Sequence, residues 1–268
     1  RGVAARSAVA DGVRQQLVHR ARAESAGVDL DPADAALYRC LAENLRHSRP
    51  SFVTLPGMNS FYGWAERPPP TGFNTTMNFA LLSGAEQQKM VEVARGCKPI
   101  AMVLNVGLML DFWIKGRFEA RGPLVDFAKT ECRLAGSVRG YHLMSLNSEP
   151  LPLLTYCATI KAALPNESSR ITVTVPGRIG NVTTASLRNL TAPESPRKFL
   201  PLEAGRAVPS EPGGGDGLRE FSFPNPDSTL APETLDRFLV QLWNEAGEWV
   251  ADLPFAVLPD ERQGYPGR

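Results

Sequence analysis

The stretch PSFVTLPGMNSFYGWAERPPPTGFNTTMN, residues 50–78, decides the fold. It opens with an apolar run at residues 51–55, which predicts a short strand that Pro56 and Gly57 end. We predict that a proline-stiffened loop follows and carries a ligand-binding site, since loops at strand ends often hold function in α/β folds. The predicted site residues are Asn59, Tyr62, Trp64, Glu66 and Asn74.

Helix and strand signals alternate on both sides of this stretch. Asp31-Pro32 begins a predicted helix before it, and Ser83 with Glu86 forms a capping box that begins another after it. The apolar run at residues 100–104 predicts a second strand, parallel to the first. Two further strands are predicted around the turn Arg139-Gly140. Residues 29–148 are therefore predicted to form a small Rossmann-like, three-layer α/β domain.

The second half of the chain has a different pattern. Short apolar segments are separated by Pro, Gly and Ser, and residues 244–247 lie between two segments that carry Trp243 and Trp249, which predicts a hairpin. Residues 149–268 are therefore predicted to be a β-sandwich-like domain, and residues 1–28 a helical lead or linker. The predicted fold class is α/β followed by all-β.

Composition excludes some classes of function. The net charge of +1 argues against nucleic acid as a partner, because nucleic-acid-binding domains are strongly basic. No apolar run approaches the roughly 18 residues of a membrane span. The four cysteines are widely spaced, so no zinc site is expected, and buried free thiols and disulfides both stay open.

The sequence contains no complete catalytic constellation. The three histidines form no metal-binding or nucleophile-activating pattern, and no glycine motif typical of nucleotide binding is present. We therefore predict no catalytic residue, no metal and no cofactor for this chain by itself. The mixture of aromatic, amide and carboxylate side chains at Trp64, Asn59 and Glu66 suits a sugar, which has apolar faces and a hydroxylated edge. The alternative is that Tyr62 and Trp64 only cover the core.

Several segments resemble one known family. Leu37-Tyr-Arg, residues 52–64, residues 69–76 and residues 86–91 are similar to a region that follows the transmembrane helices of bacterial GT-C glycosyltransferases of the dolichyl-phosphate-mannose transferase type. Gly122-Pro-Leu-Val and Gly140-Tyr-His-Leu-Met extend the resemblance, which covers about residues 30–147. In this family the catalytic acid lies on an extracytoplasmic loop between early membrane helices, outside the matching region.

The resemblance implies an extracytoplasmic, periplasmic-side domain that is not itself catalytic. Its expected partners are a glycan or lipid-linked sugar and the membrane-embedded portion of a longer parent protein, which would tether it to the membrane. Two alternatives stay open. The chain could be a stand-alone carbohydrate-active hydrolase or transferase that uses Glu66, or a structural subunit of a membrane-associated assembly.

Overall fold

The computed structural model describes residues 30–73, 78–105, 107, 121–161, 170–176, 179, 182–192, 198–203, 206–208, 217–225, 230 and 232–259. These residues form helices and three β-sheets, with more strand than helix, which confirms the predicted mixture of α and β structure. The helices are α1 (Pro32–Arg46), α2 (Ser60–Trp64), α3 (Asn78–Leu81), α4 (Gly84–Ala94), α5 (Pro123–Thr130) and a 3₁₀ helix at Pro232–Arg237. The strands are β1 (Val53–Leu55), β2 (Met102–Asn105), β3 (Cys132–Val138), β4 (Tyr141–Leu146), β5 (Cys157–Lys161), β6 (Arg170–Pro176), β7 (Val182–Asn189), β8 (Lys198–Pro201), β9 (Arg206–Val208), β10 (Leu218–Pro224), β11 (Phe238–Asn244) and β12 (Trp249–Pro254). In the part of the chain so described, no helix has the length and apolar character needed to cross a membrane.

The chain divides into two compact units. Leu41–Leu154 and the described residues from Val257 onward form the first, which we call the α/β unit. The described residues up to Cys40 and Thr155–Ala256 form the second, which we call the β unit. Neither unit is one continuous stretch of chain. The domain bounds 29–148 and 149–268 stay predictions, and the predicted helical lead at residues 1–28 lies outside the described residues.

The α/β unit contains a four-stranded sheet in the order β1-β2-β4-β3. Strands β1 and β2 are parallel, with Val53 opposite Met102, so the predicted parallel pair is confirmed. Strand β4 pairs antiparallel with both β2 and β3, and the predicted hairpin of β3 and β4 turns at Arg139 and Gly140. Both turn residues have positive φ, 45° and 80°, as a tight two-residue hairpin turn requires.

Helices α4 and α5 supply the apolar cover of this sheet. Ser83 caps α4: its hydroxyl accepts from the Glu86 amide, and the Glu86 carboxylate accepts from the Ser83 amide, which confirms the capping box. Apolar side chains of both helices pack with the strands in one buried cluster. That cluster includes Val53, Leu55, Met90, Val91, Ala94, Met102, Leu124, Phe127 and Met144.

Helix α1 begins as the sequence predicts. The Asp31 carboxylate accepts from the Ala33 amide at 2.8 Å, and Pro32 occupies the first helical position. The helix repeats apolar residues every three to four positions, and Leu37, Cys40, Leu41 and Leu45 are all buried.

The β unit contains two four-stranded antiparallel sheets, in the orders β5-β6-β10-β9 and β12-β11-β7-β8. The predicted hairpin between β11 and β12 is confirmed, with Gly247 at φ 74° in its turn. Residues 151–161 have an apolar pattern that predicts a single strand, but the strand begins only at Cys157, so this prediction is wrong over its first half. Strands β8 and β9 have no recognisable signal in the sequence, because segments of four and three residues are too short to show an alternating apolar pattern.

Candidate functional site

The stretch after β1 folds into a short helix, so its prediction as an irregular loop is wrong at residues 60–64. The Thr54 hydroxyl accepts from the Met58 amide at 2.8 Å and turns the chain, and α2 begins after Asn59. A helix advances about 100° per residue, so side chains two positions apart point to opposite sides. Tyr62 and Trp64 are two positions apart, and the structure separates them in this way.

Tyr62 faces the interior of the α/β unit. Its side chain is only 6% exposed and stacks on Phe52, with ring centroids 4.9 Å apart and ring planes inclined by 26°. Burial raises the pKa of Tyr62, and hydrogen bonds with Thr54 act in the opposite direction. Tyr62 therefore belongs to the core and offers little surface to a ligand.

Trp64 is the aromatic side chain that α2 presents at the surface. It is 36% exposed, and it meets buried Phe61 edge to face at 5.3 Å between centroids. Phe61 in turn meets Tyr141 of β4 edge to face at 5.7 Å. The indole therefore rests on aromatic residues anchored in the sheet, which fixes its position while part of its surface stays accessible.

Glu66 follows α2 in a backbone conformation that is rare for its residue type. Its φ is 56°, in the left-handed region where a Cβ is unfavourable. Its side chain is more than half exposed, and one carboxylate oxygen lies 3.7 Å from Nη2 of Arg46. Strained residues of this kind cluster at functional sites, where the surrounding structure holds them in place.

Arg46, the last residue of α1, connects the elements of this region. Its Nη1 donates to the buried Glu43 carboxylate at 3.0 Å, and its Nη2 donates to the Trp64 carbonyl at 3.4 Å. The carbonyl of Arg46 accepts from the Arg67 guanidinium, which satisfies one of the terminal carbonyl groups of α1. Arg46 thus orients both the backbone of Trp64 and the carboxylate of Glu66.

The remaining predicted residues occupy the two ends of the stretch. Asn59 is exposed at the start of α2 and its side chain makes no capping hydrogen bond there. Asn74 lies outside the described residues. The three consecutive prolines, residues 68–70, begin at a fixed point, because the Ser51 hydroxyl donates a hydrogen bond to the Pro68 carbonyl at 2.6 Å.

Arg46 and Arg67 also belong to this site, although no sequence signal marks either residue as a member. From the sequence, Arg46 is only a basic residue in the last turn of a helix. This is a common position for a cation, because it interacts favourably with the helix dipole. Its partner Glu66 lies twenty positions further along the chain, and nothing in the local pattern indicates that the two side chains meet. The sequence does predict that Trp64 and Glu66 lie close together, because they are only two positions apart in the chain.

The arrangement around Trp64 brings together groups suited to binding a ligand. Glu66 is the single acidic residue of residues 50–78, and it lies at the surface with one carboxylate oxygen 3.7 Å from Nη2 of Arg46. Within the described part of the chain, no three His, Cys, Asp or Glu side chains are grouped so that they could hold a metal ion. The exposed part of Trp64, with Glu66 beside it, provides an apolar face and a hydrogen-bond acceptor.

Comparison with known proteins finds no relative of this chain. No protein-family model matches the chain. No match is found among curated proteins or among solved structures.

Proposed function

We propose that this chain binds or positions a glycan, free or lipid-linked, on a surface formed by Asn59, Trp64 and Glu66. The observation that carries the proposal is the partly exposed Trp64 ring, which rests edge to face on buried Phe61, with a strained and accessible Glu66 two residues away. An indole of this kind packs well against the apolar face of a pyranose ring. The carboxylate of Glu66 and the amide of Asn59 would accept and donate hydrogen bonds at the hydroxylated edge.

The biological setting of the proposal rests on the resemblance over residues 30–147. In that setting the chain is an extracytoplasmic, periplasmic-side domain of a membrane glycosyltransferase-like protein and is not itself catalytic. Its second partner is the membrane-embedded portion of the parent protein, where the sugar is transferred. The glycan surface would then deliver or retain the acceptor close to that reaction.

We infer that the α/β unit is a small Rossmann-like, three-layer arrangement and that the β unit is a β-sandwich. The parallel pair β1 and β2 with α4 between them in sequence supports the first inference. The two four-stranded antiparallel sheets support the second.

The binding proposal is tested by calorimetric titration with mannotetraose and cellotetraose. Trp64→Ala should weaken binding by about fivefold or more, which corresponds to about 1 kcal/mol, the scale of one aromatic contact. Trp64→Phe is the matched control, since it keeps an aromatic face and should retain most of the affinity. Equal affinities of the wild-type protein and Trp64→Ala, or no binding to either probe, would refute this surface as the glycan site.

The same protein separates the two alternatives. A stand-alone hydrolase or transferase predicts turnover of aryl glycosides or activated sugars that Glu66→Gln abolishes, because the carboxylate would act as acid or base. A structural subunit predicts neither turnover nor glycan binding. The proposal predicts binding without turnover.

A further inference from the structure

The hairpin of β11 and β12 brings two tryptophans and a carboxylate together on one face of the β unit. The register places Trp243 opposite Trp249 and Gln241 opposite Asp252. Residues that are directly opposite in an antiparallel pair share a face, and alternate residues of one strand also share it. A register shift between Leu242 and Trp243 lets Trp249, three positions before Asp252, lie opposite Trp243, so all four residues lie on the same side of the sheet.

Hydrogen bonds fix both indole rings without any ligand. Nε1 of Trp249 donates to Oδ1 of Asp252 at 2.9 Å, and Nε1 of Trp243 donates to Oγ of Ser186 at 2.9 Å. Nε2 of Gln241 donates to the same Asp252 oxygen at 2.9 Å. The Trp249 ring and the Asp252 carboxylate therefore hold a set geometry, which lowers the entropy lost when a ligand binds.

The buried Gln241 indicates that the position of Asp252 matters. Gln241 is only 3% exposed, and its Oε1 is buried with no hydrogen-bond partner in the described structure. Burying an amide with an unsatisfied oxygen costs free energy that an apolar residue at this position would avoid. The hydrogen bond that Gln241 does make is the one that holds Asp252. Gln241 is thus a positioning residue for the carboxylate.

Helix α1 packs on this face at the end that is far from the hairpin turn. Leu239 packs against Ala33 and Ala36 of α1, four strand positions before Trp243, or about 13 Å away. At the hairpin end, Trp249 is 41% exposed and Asp252 is partly exposed. An accessible aromatic ring thus lies beside an accessible acceptor, outside the contact with the helix.

The charge of the hairpin selects the kind of ligand. Residues 244–252 contain three carboxylates, Glu245, Glu248 and Asp252, and no Lys or Arg. A negatively charged surface repels phosphate groups, anionic lipid headgroups and acidic sugars. Neutral sugars carry no charge to repel, and their hydroxyl groups donate readily to a carboxylate.

We propose that the Trp249–Asp252 surface of the β unit is a second carbohydrate-binding site, specific for neutral hexopyranose units. The Trp249 ring packs against the apolar face of one sugar, and Asp252 accepts from its hydroxyl groups. Trp243 lies opposite Trp249 on the neighbouring strand. The site is formed by residues of β7, β11 and β12, so the proposal does not depend on the proposed role of Trp64.

The test uses the indole N–H resonances of the ¹⁵N-labelled protein. The chain has four tryptophans, and replacing each in turn assigns its signal. Titration with cellotetraose, mannotetraose and chitotetraose, all neutral, should shift the Trp249 signal saturably with at least one probe, because its N–H lies at the site. Trp249→Ala should weaken that binding by about fivefold or more, and Trp249→Phe should preserve most of it.

Asp252→Asn is the second variant, and it keeps the shape and an acceptor for both neighbouring N–H groups. It should fold as the wild-type protein does and bind severalfold more weakly, because it loses the charge that strengthens hydrogen bonds from sugar hydroxyls. Trp64→Ala should leave the Trp249 response unchanged, so the two surfaces succeed or fail separately. No shift of Trp249 with any of the three oligosaccharides, or a shift produced only by phosphatidylglycerol vesicles, would overturn the proposal.

Discussion

The ring of Tyr62 stacks on the ring of Phe52, with centroids 4.9 Å apart, and this contact assigns Tyr62 to the core. Two positions later, Trp64 is more than a third exposed. Tyr62 and Trp64 thus have opposite surroundings although both belong to α2, and their substitution should cost different amounts of stability.

Tyr62→Ala should destabilise the fold by about 3–5 kcal/mol, the usual range for removing a large buried aromatic side chain. Tyr62→Phe keeps the stacked ring and loses only hydrogen bonding with Thr54, so it should cost about 1 kcal/mol. Trp64→Ala is the surface comparison and should cost less than Tyr62→Ala. Urea unfolding of the three variants measures all of these values. A loss for Tyr62→Ala no greater than that for Trp64→Ala would contradict the placement of Tyr62 in the core.

Glu66 adopts φ 56°, which glycine adopts freely and other residues adopt only at a cost in free energy. Glu66→Gly should therefore be more stable than Glu66→Ala by about 1 kcal/mol, since both variants lose the carboxylate and only glycine relieves the strain. The difference between their melting temperatures measures this effect. If Glu66→Ala is the more stable, the backbone at this position is not strained.

Local signals predicted the parts of the fold that depend on neighbouring residues. The capping box at Ser83, the Asp31 cap and the hairpin turn at Arg139-Gly140 are each determined within a few residues, and all three are present. The parallel pairing of β1 and β2 followed from the strand–helix–strand order.

Features that depend on distant residues were not predictable. Helix α2 has only five residues, too short for apolar periodicity to distinguish it from a loop. The orientation of Glu66 depends on Arg46, and that of Trp249 on Asp252 and Gln241 across a strand. Such contacts arise from tertiary packing, which a single sequence does not reveal.

Gly122 precedes α5 at φ 113°, and a Cβ at this position would lie 2.5 Å from Oε1 of Gln87. Gln87 is buried, and it donates to the Leu82 carbonyl and accepts from the Leu124 amide, so moving it would break those bonds. Gly122→Ala should therefore destabilise the fold by about 1–3 kcal/mol.

Gly63 provides the control for Gly122. It lies within α2, and a Cβ there would meet nothing within 4 Å. Gly63→Ala should be neutral or should stabilise the protein by about 0.5–1 kcal/mol, as alanine favours a helix. Thermal melts of both variants give the comparison, and equal losses at the two positions would show that contact with Gln87 is not the cause.

His142 lies in β4 between Leu104 of β2 and Ser137 of β3, and burial lowers the pKa of its imidazole. The unfolded chain, with an ordinary pKa, therefore takes up a proton at a higher pH than the folded chain does. The contribution of the neutral imidazole to the free energy of unfolding is fully present above the pKa that His142 has in the unfolded chain. It is lost as the pH falls from that value through the lower pKa of the same group in the folded chain. The free energy of unfolding should thus decrease on moving from about one unit above the ordinary histidine pKa of roughly 6.5 to one unit below it.

Urea unfolding of the wild-type protein and of His142→Gln at those two pH values isolates this contribution. Glutamine is polar and does not titrate in this range, so the variant should lose less stability than the wild-type protein when the pH is lowered. Other groups contribute equally to both proteins, and the difference between the two pH effects belongs to His142. If both proteins lose the same free energy between the two pH values, the imidazole is not desolvated in the folded state.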